Sequence, residues 1–338
     1  MSDTLVTGGN GFIGQHLVAA LVARGARVRV LDLAPTSRPL ADVEYVEGSV
    51  LDPGAVNEAL DGVEQVYHLA GLPGMWLPRK SDFHDVNCGG TQVVVDAARR
   101  RGVARFLHCS TESILFRSTG CEEEVPSNPD DMPGPYTRSK MLADRLAMQA
   151  AASGFPVVVA CPTMPIGPRD HNLTPPTAML RHFLNQRLHC FLDFVVNLVD
   201  VRDAAIGLML AMERGQVGHR YVLGGESIPL KKVLEIIGTV SGRRPPLVPL
   251  PGRLAEIAAT MLEFIADHVT RRPPSGTLEG VRIALRATAL SSEKAQRELG
   301  YAPRPVEPAL MATISHLLGA EGPHHEFATV AALQNLRR

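Results

Sequence analysis

The chain has 338 residues, 45% of them hydrophobic, and a formal net charge of −1. That length and apolar content can bury a main domain with a smaller appendage, which is the arrangement expected here. Lysine and arginine are scattered, so nothing resembles the basic stripe that nucleic acid or an anionic membrane requires, and neither partner is predicted. The five cysteines, at 88, 109, 121, 161 and 190, lack metal-ligand spacing, and they suit a reducing interior where thiols serve as small buried hydrophobes. Folding signals begin by Thr4 and no apolar run is long enough to span a bilayer, so a soluble, cytoplasmic protein without a transmembrane segment is expected.

In chain order, a short apolar run at Leu5 and Val6 leads into Thr7-Gly-Gly-Asn-Gly-Phe-Ile-Gly14, after which a helical pattern opens at Gln15. This reads as strand, glycine turn, helix. Gly8 permits the tight turn, Gly11 lets a pyrophosphate approach bare backbone, and Gly14 lets helix pack on strand. The helix N-terminus offers unpaired N–H groups and the positive end of its dipole to phosphates, and Gly11, Phe12 and Ile13 are expected among the cofactor-binding residues. A second strand over 27–31 ends at Asp32, 18 residues beyond Gly14, where a carboxylate can accept from adenosine ribose hydroxyls.

Strands over 43–47 and 65–69, with a helix over 54–60 between them, continue the alternation. Helix 82–101 leads into strand 104–109, and helix 136–152 into strand 156–161. Such alternation implies an α/β fold, a doubly wound parallel sheet with helices on both faces. Ligands in such folds lie at the carboxyl ends of strands. Inspection therefore falls on Gly48-Ser49-Val50, placed against adenine, on Leu69-Ala70-Gly71, running under the cofactor, and on Ser110-Thr111 and Pro162-Thr163-Met164. Beyond Pro168 the alternation breaks down, which predicts a smaller substrate-covering region. A strand over 197–201 returns to the main domain, followed by helix 203–213 and strand 221–223. Further helices are expected at 230–240, 253–269, 292–299 and 308–318, with 270–288 a proline-rich loop. Helix 253–269 has an amphipathic face read as core packing, with a lid touching lipid as the minor alternative. The histidines are read as structural or solvent-facing, with His324 and His325 in a C-terminal tail.

Tyr136 and Lys140 stand on one face of their helix, roughly 5 to 6 Å apart at Cβ. Thr111 lies 25 residues upstream at a strand end, where its hydroxyl can meet the phenol over a bound substrate. Acid–base work near neutral pH requires the phenol pKa to fall by around three units, which Lys140 and an oxidised nicotinamide can supply.

TGGNGFIG, Asp32, His68-Leu-Ala-Gly71, Thr111 and Tyr136-Thr-Arg-Ser-Lys140 together resemble the extended short-chain dehydrogenase/reductases over most of the chain. The resemblance implies NAD as cofactor, Tyr136 as general acid or base, Thr111 orienting the substrate oxygen, and Lys140 lowering the phenol pKa while holding the nicotinamide ribose. It also implies a homodimer through helices 82–101 and 136–152. The domains then read as 1–165 for NAD, with 195–220 returning to it, 166–194 and 221–320 for substrate, and 321–338 as tail. Sugar-nucleotide members of the family place an Arg where this chain has Val196-Asn-Leu-Val-Asp-Val201. His108-Cys-Ser-Thr-Glu112 and Val30-Leu-Asp-Leu-Ala34 look instead like the 3β-hydroxysteroid dehydrogenase branch, and Pro162-Thr163 with Gly167-Pro-Arg-Asp170 resembles dihydroflavonol reductases and hopanoid-associated epimerase-like proteins. The expected pocket, from Leu72, Met75, Trp76, Leu77, Glu112, Met164, Pro165, Ile166, Phe191 and Phe194, is apolar and suits a sterol- or triterpenoid-like alcohol or ketone, possible peripheral membrane contact included. A sugar epimerase that keeps its NAD and a non-catalytic NAD-binding protein are the alternatives.

Overall fold

The computed structural model describes residues 3–36, 39–117, 120–121, 128–185, 190–242 and 248–319. Arg38, a basic residue near Asp32 in the sequence, lies outside them, as do His324, His325 and the rest of the tail. The first half runs β1 (Thr4–Thr7), α1 (Phe12–Ala23), β2 (Val28–Asp32), β3 (Val43–Glu47), α2 (Pro53–Ala59) and β4 (Gln65–His68). Then α3 (Ser81–Phe83) passes through a π-helical stretch, His84–Gly90, into α4 (Thr91–Arg100), followed by β5 (Arg105–Cys109) and a small hairpin, β6 (Phe116–Arg117) and β7 (Gly120–Cys121). The helix α5 (Pro135–Ala152) leads into β8 (Val157–Pro162).

The second half adds β9 (Met164–Ile166), α6 (Pro175–Leu184), β10 (Cys190–Phe191), β11 (Val195–Asp200), α7 (Val201–Arg214), β12 (Arg220–Leu223) and β13 (Glu226–Pro229). It closes with α8 (Leu230–Ser241), β14 (Val248–Pro249), α9 (Gly252–Ile265) running into a π turn Ala266–Thr270, α10 (Leu278–Arg286), α11 (Glu293–Leu299) and α12 (Glu307–Gly319).

Seven parallel strands form the main sheet in the order β12-β8-β5-β4-β1-β2-β3. Alternate residues of each strand feed opposite faces, as the two-residue period of a strand requires. Leu5, Val66, Phe106 and Val159 join the core under α2, α4 and α5, while Val6, Tyr67, Leu107 and Val158 join the core under α1, α7 and α11. A third core, around Ile166, Leu180, Val196, Leu198, Leu234 and Leu310, holds β9, β11, α6, α8 and α12 together.

Four expectations are corrected. The strand at 195–200 does not enter the main sheet; it pairs with β9 and β13 in a three-stranded sheet, and α7 is what packs back on α1. The boundary near 221 also shifts, because β12 is the edge strand of the main sheet and Ala295, Leu299 and Tyr301 belong to its core. The first helix opens at Phe12, ahead of Gln15, with Gly11 as its N-cap. Residues 278–286 are a helix where a loop was expected, started by Thr277, whose hydroxyl accepts from Gly280 N.

Candidate active site

β1 delivers the chain to Gly8, whose φ is +72° and where a Cβ would lie 2.7 Å from Ala70 N. Glycine is thus required twice over, for the left-handed backbone and for the close passage of the segment after β4. A Cβ on Gly14 would collide with Gly8 O, so α1 rests directly on the turn. Nothing from a side chain caps α1 and its first turn holds no acid, so the N–H groups at Phe12 and Ile13 and the helix dipole face an incoming phosphate. Asp32 ends β2 with its carboxylate accepting from Asn10 N at 2.9 Å and Leu33 N at 2.8 Å, and burial pushes its pKa up. Arg29 turns away from it, donating to Ala59 O and Asp61 O and pairing with Glu44. At the other strand ends, Ser49 Oγ accepts from Leu51 N, Val50 is buried, and the hydroxyls of Ser110 and Thr163 are buried without a hydrogen-bond partner among the described residues. Bare glycine backbone, an uncapped helix start and orphaned hydroxyls fit a dinucleotide.

The segment Leu69-Ala70-Gly71 is tied to the turn by a polar chain that the sequence did not disclose. Thr91 Oγ1 donates to Asn87 O at 2.6 Å, so it must accept from His68 Nε2–H at 2.9 Å. His68 Nδ1 then accepts from Thr7 Oγ1 at 2.8 Å, and Thr7 Oγ1 accepts from Ala70 N. Each partner has one consistent role only with a neutral His68, whose pKa burial drives down to about 3. Asn87, within the π-helical stretch, binds Leu72 N and O and donates to Ser139 Oγ, which in turn donates to Tyr136 O. The glycine turn and the tyrosine backbone therefore share one buried network.

The helix α5 begins with Pro135 at its first turn, where proline's missing N–H costs nothing. Its N-cap, Gly134, has no side chain, and the cap comes instead from Glu279 on α10. That carboxylate accepts from Tyr136 N at 3.1 Å and from Thr137 N and Thr137 Oγ1, both at 2.7 Å. A Cβ on Gly134 would sit 2.5 Å from the Glu279 carboxyl. Midway along, Asp144 forms a buried ion pair with Arg220 at 2.6 Å, fastening α5 to β12.

Tyr136, Lys140, Thr111 and Glu112 come together here. Thr111 Oγ1 donates to Glu112 Oε2 at 3.0 Å, and Lys140 Nζ donates to Cys109 O at 2.8 Å. Burial pushes the Tyr136 phenol well above its ordinary value, the Glu112 charge adds to that, and hydrogen bonding with Thr111 opposes it. The depressed phenol pKa expected from the sequence is therefore not a property of the protein alone. Burial lowers the Lys140 pKa and pushes Glu112 up to about 7.

The expected pocket divides. Leu72, Leu77 and Phe83 form a buried cluster on which Val86 and the Tyr136 ring pack, with Phe83 and Tyr136 ring centroids 5.9 Å apart. Trp76 is buried and donates through Nε1 to Asp267 at 2.7 Å, and Met75 lies against Gly280. By contrast Phe191 is buried in the third core, with Met164 and Phe194 packed on it, and Pro165 is paired in β9. Those residues support that core more than they line a site. A separate cavity of about 380 Å³, lined by Lys80, His84, Pro133, Arg138, Leu142 and Arg282 among others, opens at the start of α5, and none of the expected pocket residues lines it.

A sheet of this order, with its glycine turn at the switch between β1 and β4 and a phenol, an ammonium and a hydroxyl meeting beyond β5, belongs to a dinucleotide-dependent oxidoreductase. The profile of the NAD dependent epimerase/dehydratase family matches residues 4–224, and the chain is a member of that family, an NAD-dependent enzyme of the extended short-chain dehydrogenase/reductase type. It is 30% identical over 316 residues to a putative dihydroflavonol 4-reductase of Synechocystis, covering 90% of this chain and 91% of that one. It is 29% identical over 310 residues to sterol demethylase protein B of Methylococcus capsulatus, covering 89% and 93%. The crystal structure of gox2253 superimposes with a TM-score of 0.82 at 31% identity, covering 95% of this chain and 99% of that one.

Proposed function

We propose that this enzyme transfers hydride between NAD and a secondary alcohol or ketone on a bulky apolar ring skeleton, sterol- or triterpenoid-like. The observation that carries this is the wall of Leu72, Leu77 and Phe83 packed with the ring of Tyr136. Apolar ligand surface removed from water against it would contribute about 25 cal/mol per Å². A second feature agrees: Val196, at the position where sugar-nucleotide relatives place an Arg, is buried in an apolar core opposite Ile228, so it offers a phosphate nothing. The similarity to a sterol demethylase protein supports the same substrate class.

NAD, when bound, accepts or returns the hydride. In the oxidative direction Tyr136, as the phenolate that Lys140 and the positively charged nicotinamide would favour, takes the hydroxyl proton and becomes the neutral phenol, and Thr111 steadies the substrate oxygen. Lys140 supplies positive charge beneath the phenol and a donor for the nicotinamide ribose, and Gly8, Gly11 and Asp32 hold the rest of the dinucleotide. Where the new ketone stands β to a carboxyl group, as in a 4-carboxysterol, decarboxylation follows. A homodimer through α4 and α5, and a division into a dinucleotide unit and a substrate unit, are part of this reading.

Turnover and thermal-shift assays with NAD and a matched panel of 3-hydroxysterols, flavanonols and UDP-sugars test it. A sterol-like compound is expected to give both a shift and NADH. Epimerisation of any UDP-sugar with no response to sterols would overturn it.

A further inference from the structure

The amphipathic helix α9 does not spend its apolar face on the core. Leu254, Ile257, Met261, Phe264, Ile265 and Val269 are between 43% and 72% exposed, while the helix touches the protein through Ala255, Ala259 and Ala266. The expectation of core packing is thus overturned: three small residues make the inner face, and spacings of three and four put the large ones together outside. The charges are sorted too. Glu256 reaches Arg282, Asp267 reaches Lys80 and Trp76, and Glu263 is half-buried beside Leu278, so every acid on the helix turns toward the protein. Arg253, His268, Arg271 and Arg272 are exposed. Arginines scattered in the sequence stand at the two ends of one apolar face.

We propose that this face is a docking surface for an anionic lipid bilayer, with α9 lying in the plane of the headgroups. Large apolar side chains flanked by basic residues, with acids withdrawn, are the composition an interfacial helix needs. A second copy of the chain suits the face less. An antiparallel two-fold contact along α9 would set Arg253 of one copy opposite Arg271 and Arg272 of the other, while the helix's own acids, Glu256 and Asp267, are already engaged by Arg282 and Lys80. The position is also apt. The segment from Leu72 to Lys80, which supplies the apolar wall beside Tyr136, is hydrogen-bonded to the helix through Asp267, and α9 packs on α10, whose Glu279 clamps the start of α5. Docking there would place the substrate wall next to the phase in which an apolar substrate dissolves, but the docking itself does not depend on the substrate reading.

Flotation of the full chain with phosphatidylcholine vesicles, with and without phosphatidylglycerol, tests the proposal. Binding is expected to the phosphatidylglycerol vesicles, to weaken with added salt, and to fall at least tenfold in Ile257→Glu/Phe264→Glu and in Arg271→Glu/Arg272→Glu. An unchanged thermal shift with NAD establishes that each variant is folded, and Phe264→Trp, which keeps the apolar face, should bind with a blue-shifted emission. The proposal is overturned if the unaltered chain does not float, or if the glutamate variants float equally well. It is also overturned if those variants instead split a dimer in size-exclusion chromatography while vesicle binding is unaffected, which would give the face to a second copy.

Discussion

At the Tyr136 oxygen the protein sets two opposed demands. Burial and the neighbouring Glu112 favour the neutral phenol, while hydrogen bonding with Thr111 and any added positive charge favour the phenolate. Tyr136→Phe removes that oxygen and little else, so kcat should fall by about 10² to 10⁴ with NAD affinity unchanged, as measured by single-turnover kinetics and calorimetric titration. Retained turnover would take the phenol out of the chemistry. Glu112 yields a second prediction, in stability. Its pKa rises from 4.5 to about 7 through burial, so the folded state holds a proton that the unfolded chain releases. The sign follows directly: its contribution is fully present below 4.5 and lost as pH rises through about 7, a difference of roughly 3 kcal/mol. Glu112→Gln, which stays neutral, should match the unaltered protein in urea melts at pH 4.5 and exceed it in stability at pH 8. Parallel pH profiles for the two proteins would show that the carboxyl does not titrate as argued.

The helix α5 is held at its N-terminus by a residue from 143 positions away, and the pair Asp144 and Arg220 holds its middle. Because three donors converge on the Glu279 carboxylate, Glu279→Ala leaves them without that acceptor and should cost about 1 to 3 kcal/mol of stability. Since those donors begin the helix that carries Tyr136, kcat should fall too, while Glu279→Gln, which keeps one acceptor oxygen, should recover part of both. A loss of stability with kcat untouched would confine Glu279 to a structural cap. None of this was legible in the sequence. The sheet was, because Leu5 and Val6, or Phe106 and Leu107, announce a strand buried on both faces; so was the glycine turn, whose spacing answers to local backbone geometry. Glu279 lay in a stretch whose prolines masked a helix, and only Thr277 followed by Gly280 hinted at its start. Asn87 had no local signature, since its partners are Leu72 and Ser139. For α9 the pattern showed that an apolar face existed, but periodicity does not tell whether anything covers it.

Over the whole molecule, the proposed dinucleotide site is made by elements that meet only when the main sheet is assembled: the turn after β1, Asp32 at the end of β2, and Lys140 on α5 bonded to the end of β5. A ligand held by such a set binds the native state and not the unfolded chain, so its affinity reads out as stability. At a hundred times its dissociation constant, NAD should stabilise the fold by about 2.7 kcal/mol, which for a chain of this size is a rise in Tm of about 4 °C. NADP should do much less. Its 2′-phosphate would face the Asp32 carboxylate, and Arg29, the cation within the same strand, is engaged with Ala59 O, Asp61 O and Glu44. Like charges so placed cost several kcal/mol, or about a hundredfold or more in affinity, so at equal concentration the NADP shift should stay below about 1 °C. Asp32→Ala should narrow the gap from both sides, weakening NAD by loss of the ribose acceptor and relieving NADP of the repulsion. Thermal shifts of equal size for the two dinucleotides on the unaltered protein would mean that a cation elsewhere answers the phosphate, and that Asp32 does not select the cofactor.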